Sequence, residues 1–146
     1  MFPAPIEPGI LVVVATQTSG NAVILLVEDD RDTQESMKCA LEMAGYDVTV
    51  ASGADEAMNR LRRGLQPRVI MLDLMMPGKT GFQFRGEQMQ DPRFADIPLV
   101  VYSGHHDIIA NAVQLGAAAY FQKPVDIDAL LHVIEKHCPK PPPDRS

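Results

Sequence analysis

The fold is decided by one stretch, Arg68-Val69-Ile70-Met71-Leu72-Asp73, in which an unbroken apolar run ends in a carboxylate. A run that is apolar throughout is typical of a central strand in a parallel sheet, because such a strand is buried on both faces. The segment Met75-Met76-Pro77-Gly78 interrupts the chain directly afterwards. The pattern therefore predicts a buried strand with Asp73 at its carboxyl end.

Three other strand-like runs also end in polar residues. They are residues 22–27 before Glu28 and Asp29, residues 97–102 before Ser103, and residues 119–122 before Lys123. The carboxyl ends of parallel strands meet at one edge of a sheet, where open α/β folds place their sites. The sequence therefore predicts that acids, a hydroxyl and an amine meet at this edge.

Strand and helix patterns alternate between residues 22 and 138. A further strand is predicted at 46–51, and helices are predicted at 31–45, 54–64, 81–90, 107–115 and 126–137. Either Asp30 or Asp32 is suited to cap the first helix, and Asp126 to cap the last. Five strand–helix units with right-handed crossovers predict a three-layer α/β sandwich.

The composition excludes several classes of protein. The net charge of -6 argues against nucleic acid as a direct partner. No stretch approaches the ~20 apolar residues that a membrane-spanning helix needs. Cys39 and Cys138 match no metal-binding spacing, so we expect reduced thiols and a cytoplasmic protein without a membrane partner.

The two ends of the chain differ from the middle. Residues 1–21 contain no Lys or Arg, which argues against a secretory signal. The β-prone run at 10–15 suits an extra edge strand, a strand exchanged with another copy, or disordered sequence, and these alternatives stay open. Residues 139–146 contain four prolines and are predicted to be an extended tail. The predicted domain is residues 22–138.

The polar strand ends form a set with a specific chemistry. Three converging carboxylates, those of Glu28, Asp29 and Asp73, need a neutralising partner, and a hard cation such as Mg²⁺ suits them. The backbone carbonyl of Met75 is a further candidate ligand. Lys123 adds a compact positive charge, and Ser103 at the end of the fourth strand can donate a hydrogen bond from its hydroxyl. Together these are the parts that phosphoryl transfer requires.

These residues resemble those of the receiver domain of response regulators from bacterial two-component systems. The resemblance rests on Val27-Glu28-Asp29-Asp30, on Leu72-Asp73-Leu74-Met75-Met76-Pro77 with Gly81 following, on Ser103-Gly104, and on Lys123-Pro124. It covers about residues 22–138, and the spacings between the four motifs also fit the family. It implies a flavodoxin-like, doubly wound sheet with strand order 2-1-3-4-5.

The resemblance also implies roles for individual residues. Asp73 would accept a phosphoryl group from a phosphohistidine, and Lys123 would assist. Glu28, Asp29, Asp73 and the Met75 carbonyl would hold Mg²⁺. Ser103 and Tyr120 would be the switch residues that change the surface of the fourth helix, fifth strand and fifth helix. The implied partners are a sensor histidine kinase or histidine phosphotransfer protein, a downstream protein, and a second copy in a phosphorylation-linked homodimer.

Three other interpretations are weaker. A receiver-like interaction module that is never phosphorylated does not explain the complete set of polar strand ends. A phosphatase of the haloacid dehalogenase type uses a second acid two residues after its nucleophile, where this chain has Met75. A flavin-binding protein of similar fold would place a phosphate against Asp29 and Asp73, which would repel it. We therefore expect a signalling domain rather than an enzyme acting on outside substrates.

Overall fold

The computed structural model describes residues 23–76, 80–104 and 108–138. The extension predicted at 1–21 and the tail predicted at 139–146 lie outside the described residues. Their roles, and the domain boundaries that depend on them, stay predictions.

The described residues form a parallel sheet of five strands with helices on both faces. The strands are β1 (Val23–Val27), β2 (Asp47–Ala51), β3 (Val69–Asp73), β4 (Leu99–Ser103) and β5 (Ala119–Gln122). The helices are α1 (Arg31–Met43), α2 (Ala54–Arg62), α3 (Gly81–Gln90), α4 (Ile108–Leu115) and α5 (Ile127–His137). The strand order is β2-β1-β3-β4-β5, which confirms the predicted doubly wound, flavodoxin-like fold.

Most predicted boundaries differ from the observed ones by only one or two residues. The fourth strand begins at Leu99 rather than residue 97, because the Ile97 amide donates to the Phe94 carbonyl in the preceding turn. The same strand continues to Ser103, so the hydroxyl belongs to the last strand residue. Asp73 is likewise the last residue of β3.

The ends of the helices follow local rules. Asp30, not Asp32, caps α1, since its carboxylate accepts from the Thr33 amide at 2.9 Å. The Asp126 carboxylate accepts from the second and third amides of α5 in the same way. After α1 the chain turns at Gly45, where φ is +100°, a conformation that side chains with a Cβ rarely adopt. Each cap satisfies backbone amides that the helix itself leaves unpaired.

Two apolar clusters, one on each face of the sheet, hold the layers together. Alternate residues of the strands supply the two sides, so Leu25, Ile70 and Leu72 face α2, α3 and α4. Ile24 and Met71 face α1 and α5 instead. Burying a side chain of this kind stabilises the fold by about 1.5–3 kcal/mol. All five residues of β3 are buried, as its unbroken apolar sequence predicts.

A polar network ties α3 to the end of α4. The Arg85 guanidinium donates to the carbonyls of Leu115 (2.8 Å) and Gly116 (3.1 Å) and to the Gln88 side chain (2.8 Å). The amide of Gln88, which is buried, donates in turn to the carbonyls of Phe94 and Ile97. The carboxyl end of α4 is thereby fixed to α3 and to the turn before β4.

Candidate functional site

Three polar side chains form a row across the carboxyl edge of the sheet. Asp73 pairs in register with Tyr102 on β4, and Glu28 follows Val27, the residue that pairs with Leu72 on β3. All three side chains are at least 98% buried. The chain thus places two carboxylates and a phenol side by side in the protein interior.

Asp73 lies between two donors. Its Oδ1 accepts from the Met75 amide at 2.9 Å, and its Oδ2 accepts from the Lys123 ammonium at 3.0 Å. The first bond closes a short turn directly after β3, and the second joins β3 to the end of β5. Both bonds fix the carboxylate in one orientation.

Lys123 lies close to both buried carboxylates, Asp73 and Glu28. Its Nζ lies 3.0 Å from Asp73 and 3.5 Å from Oε1 of Glu28, and its amide donates to the Ser103 carbonyl at 2.9 Å. A cis peptide bond joins Lys123 to Pro124. Burial alone would lower the pKa of Lys123, but the hydrogen bond and charge of Asp73 outweigh it and the pKa is raised. The side chain therefore stays an ammonium ion.

Glu28 is fully buried, and burial raises the pKa of its carboxyl group. Two hydrogen bonds oppose that effect. Oε2 accepts from the Asp30 amide at 3.0 Å, and Oε1 accepts from the Tyr102 hydroxyl at 2.8 Å. The Glu28 carbonyl also accepts from the Gln34 side chain of α1. These contacts fix both the side chain and the backbone of Glu28.

The three acids expected to hold a metal do meet. Oxygen atoms of Glu28, Asp29 and Asp73 lie within 4.8 Å of one another, with Asp29 exposed and the other two buried. An all-oxygen set of carboxylates with one face open to water matches what Mg²⁺ prefers. The residues present therefore fit this ion.

The two predicted switch residues lie in different places. Ser103 is buried at the end of β4, where its carbonyl accepts from the Lys123 amide, and it lines a cavity of about 260 Å³ with Met75, Thr80 and Asn111. Tyr120 points outward from β5 and is 40% exposed. It lines a separate surface cavity of about 380 Å³ against α4.

Tyr102 is a member of the site that sequence reasoning missed. Its apolar surroundings in the run at 97–102 suggest only a core aromatic. Its hydroxyl nevertheless reaches across β3 to Glu28, and its ring centroid lies 5.4 Å from the Lys123 ammonium. The available signal was the hydroxyl itself, because a buried tyrosine usually finds a partner for it.

A groove opens beside the pocket. It measures about 620 Å³ and lies between the first turns of α1 and the segment that follows β5, with Met37, Lys123, Val125 and Ile127 among its lining residues. Its walls are largely apolar, while the Lys123 ammonium lies at the pocket side. The shape leaves the carboxylate cluster next to a surface that a second protein can approach.

Comparison with known families assigns this arrangement. Residues 24–135 match the response regulator receiver domain. The chain belongs to that family. Receiver domains act as signalling domains in two-component systems and bind Mg²⁺ in general. The resemblance noted from the four motifs is therefore confirmed.

Individual relatives and solved structures are also similar to this receiver domain. An uncharacterised 14.6 kDa protein of Leptolyngbya boryana is 36% identical over 131 residues, covering 88% of this chain and 98% of that protein. The transcriptional regulator RpaA of Synechocystis is 36% identical over 110 residues, covering 74% of this chain but 45% of RpaA. A response regulator receiver protein from Pseudomonas putida has a TM-score of 0.73 at 27% identity, covering 80% of this chain and 97% of that structure.

The chain thus spans nearly all of one relative and less than half of a transcriptional regulator that it matches. Within the described residues of this receiver domain, no helix is long and apolar enough to cross a membrane.

Proposed function

We propose that this receiver domain is a phosphoacceptor in a two-component phosphorelay, with Asp73 as the residue that receives the phosphoryl group. The observation that carries the proposal is the setting of Asp73. It is a buried carboxylate between the Lys123 ammonium and the Met75 amide, and it lies beside two further acids. A structural aspartate does not need this surplus of negative charge around it.

The proposed step conserves atoms and charge. A carboxylate oxygen of Asp73 forms a bond to the phosphorus of a phosphohistidine, and the bond between that phosphorus and the imidazole nitrogen breaks. The electron pair returns to the imidazole nitrogen, which takes up a proton from water. Lys123 lies where it can contact an oxygen of the transferred group and offset its charge. Water later attacks the phosphorus of the aspartyl phosphate, the bond between the phosphorus and the carboxylate oxygen breaks, and inorganic phosphate leaves, which restores the Asp73 carboxylate.

Glu28, Asp29 and Asp73 would hold Mg²⁺, and the Met75 carbonyl is the further ligand that the family resemblance implies. When bound, the ion offsets the negative charge that gathers on the transferred phosphoryl group. The hydrogen bonds to Glu28 from Tyr102 and from the Asp30 amide keep that carboxylate in place beforehand.

The phosphodonor would be a sensor histidine kinase or a histidine phosphotransfer protein. The groove beside Lys123 supports this, because its apolar residues Met37, Val125 and Ile127 offer a contact surface next to Asp73. A donor protein docked there would present its phosphohistidine at the mouth of the pocket.

The output would be a change on the surface formed by α4, β5 and α5. Ser103 would move to hold the phosphoryl group, and Tyr120 would turn inward as the hydroxyl moves. The outward position of Tyr120, with exposed Ile109 and Val113 beside it on α4, supplies an apolar surface that such a movement would alter. A downstream protein, or a second copy of this chain, would read the change.

Intact mass measurement after incubation with Mg²⁺ and acetyl phosphate tests the proposal. We expect the wild-type chain to gain one phosphoryl group and Asp73→Asn to gain none. Chelation of divalent cations should slow the gain by at least about 100-fold, because the metal contributes several kcal/mol to stabilising the transition state.

The matched control is Asp47→Asn, which removes an exposed strand aspartate at the opposite, amino end of the sheet. It should be phosphorylated like the wild type. If the wild type gains no mass and also fails to bind beryllofluoride, the chain is an interaction module that works without phosphorylation. Steady release of phosphate from unrelated phosphate esters would instead favour the phosphatase interpretation.

A further inference from the structure

Tyr102 has contacts that its place in the apolar core does not require. Its ring belongs to the cluster that faces α1 and α5, yet its hydroxyl donates to Oε1 of Glu28 at 2.8 Å across the intervening strand β3. The same ring lies 5.4 Å from the ammonium of Lys123, within the range of a cation–π contact. One side chain therefore contacts two of the charged groups around Asp73.

The contact with Glu28 affects where Lys123 lies. Oε1 of Glu28 has two neighbouring donors, the Tyr102 hydroxyl at 2.8 Å and the Lys123 ammonium at 3.5 Å, whereas Lys123 is 3.0 Å from Asp73. Because the hydroxyl satisfies Glu28, the ammonium is free to bond Asp73 more closely. Without that hydroxyl, Lys123 would be the nearest side-chain donor for this buried oxygen among the residues that the structure describes.

We propose that Tyr102 is a positioning residue, whose hydroxyl fixes the Glu28 carboxylate and thereby keeps Lys123 on Asp73. The role rests on the proposed phosphoacceptor function and deepens it. In the wild type, the buried carboxylates of Glu28 and Asp73 keep oxygen atoms within reach of a divalent cation that binds beside the exposed Asp29. In a chain without the hydroxyl, Lys123 moves toward Glu28, and its charge then opposes the cation.

The test is Tyr102→Phe, which removes only the hydroxyl and keeps the ring, its packing and most of its cation–π contact. We expect Mg²⁺ affinity, measured by titration calorimetry on the unphosphorylated protein, to fall roughly tenfold, as is usual when a partner of a metal ligand is removed. Beryllofluoride affinity in saturating Mg²⁺ should also fall, because Lys123 no longer contacts Asp73 closely.

Tyr46→Phe is the matched control. Tyr46 is a buried tyrosine in the same apolar cluster, but it lies before β2, at the opposite end of the sheet from Asp73. Its substitution should leave Mg²⁺ affinity within twofold of the wild type, whatever its effect on the unfolding midpoint. Equal Mg²⁺ affinities for Tyr102→Phe and Tyr46→Phe would overturn the proposal and leave Tyr102 a core residue.

A double-mutant cycle in the absence of metal gives a second readout. If Tyr102 acts through Glu28, then Tyr102→Phe should raise the unfolding equilibrium constant in urea by about tenfold in the wild type, as expected for losing a bond to a buried charged group. In a Glu28→Ala background the same change should be less than threefold. Equal effects in both backgrounds would contradict the coupling.

The two proposals fail in different ways. Absence of Mg²⁺ and beryllofluoride binding in the wild-type chain would overturn the phosphoacceptor function, and with it this role of Tyr102. Normal binding in the wild type together with an unchanged Tyr102→Phe variant would overturn only the positioning role.

Discussion

The pocket around Asp73 and the network around Arg85 are two polar clusters of one small domain. The pocket carries an excess of negative charge, whereas the charge of Arg85 is satisfied by carbonyl groups of the protein. Among the described residues, the pocket sets the carboxylates of Glu28, Asp29 and Asp73 against the ammonium of Lys123. With every acid ionised, this leaves two negative charges, which a divalent cation would balance. The pocket is incomplete without a ligand.

The network around Arg85 needs no ligand. Its guanidinium donates to the carbonyls of Leu115 and Gly116, at the carboxyl end of α4 where the helix dipole is negative. The Gln88 side chain accepts a third hydrogen bond from Arg85 and donates two hydrogen bonds to backbone carbonyls. Polar side chains in the interior therefore do not mark a site by themselves, whereas uncompensated negative charge at the carboxyl edge of the sheet does.

The largest loss of stability is expected from Arg85→Met. The substitution keeps most of the buried stem but leaves the Leu115 and Gly116 carbonyls and the Gln88 side chain without their donor. We expect the free energy of unfolding to fall by about 2 kcal/mol, because the part-buried Leu115 carbonyl and Gln88 side chain lose a charged donor, while water can replace the donor at the exposed Gly116 carbonyl. Urea denaturation without divalent cations measures it.

The control for that experiment is Arg60→Met, on α2. Arg60 forms an exposed pair with Glu56 one helical turn away, and such pairs contribute little to stability. A loss for Arg85→Met no greater than that for Arg60→Met would show that the network does not hold α3 to α4.

An intermediate effect of opposite sign is expected from Asp73→Asn in metal-free protein. The amide oxygen can still accept from the Met75 amide, while the repulsion between Asp73 and Glu28 is removed. We expect the free energy of unfolding to rise by about 1.5 kcal/mol, as is common when a residue kept for function is replaced. Thermal unfolding in a chelating buffer measures it.

For this comparison Asp47→Asn again serves as the control, since Asp47 lies outside the carboxylate cluster. A lower stability for Asp73→Asn than for Asp47→Asn would mean that the bond to Lys123 outweighs the repulsion. The pocket would then be balanced in the way that the Arg85 network is.

The smallest effects are expected from two glycines that bracket the network. Gly116 has φ of +66°, and an added Cβ would lie 3.6 Å from the Arg85 guanidinium, so Gly116→Ala should lower the free energy of unfolding by about 1 kcal/mol. Gly86 lies inside α3 with open space around it, so Gly86→Ala should raise it by about 0.5–1 kcal/mol. Urea denaturation measures the free energy of unfolding of both variants. Changes of the same sign would contradict the expectation that Gly116, but not Gly86, needs to be glycine.

Much of the fold was predictable because its signals are local. The apolar run that ends at Asp73 defines a central strand, and the capping side chains Asp30 and Asp126 define where helices begin. The choice between Asp30 and Asp32 needed the structure, since both have suitable chemistry. The start of β4 was misplaced because the turn that involves Phe94 and Ile97 depends on a buried contact with Gln88.

The charged residues of the site were also predictable, because they follow directly from the strand pattern. A parallel sheet brings the ends of its strands together, so the meeting of Glu28, Asp29, Asp73 and Lys123 follows from chain order and topology. The part played by Tyr102 does not follow in this way. Its bond to Glu28 joins residues 74 positions apart in the sequence, across a third strand. Only the register of the sheet and the length of the side chain bring the two together.

The attachment of α4 to Arg85 has a mechanical consequence. A helix of eight residues is about 12 Å long, and here its carboxyl end is clamped while its amino end lies toward the Ser103 side of the sheet. A displacement of the amino end of α4 near Ser103 would therefore rotate the helix about its fixed carboxyl end. A displacement of about 1–2 Å, typical of helix shifts in switching proteins, would then tilt α4 by roughly 5–10° and move its outer face most near Ile109.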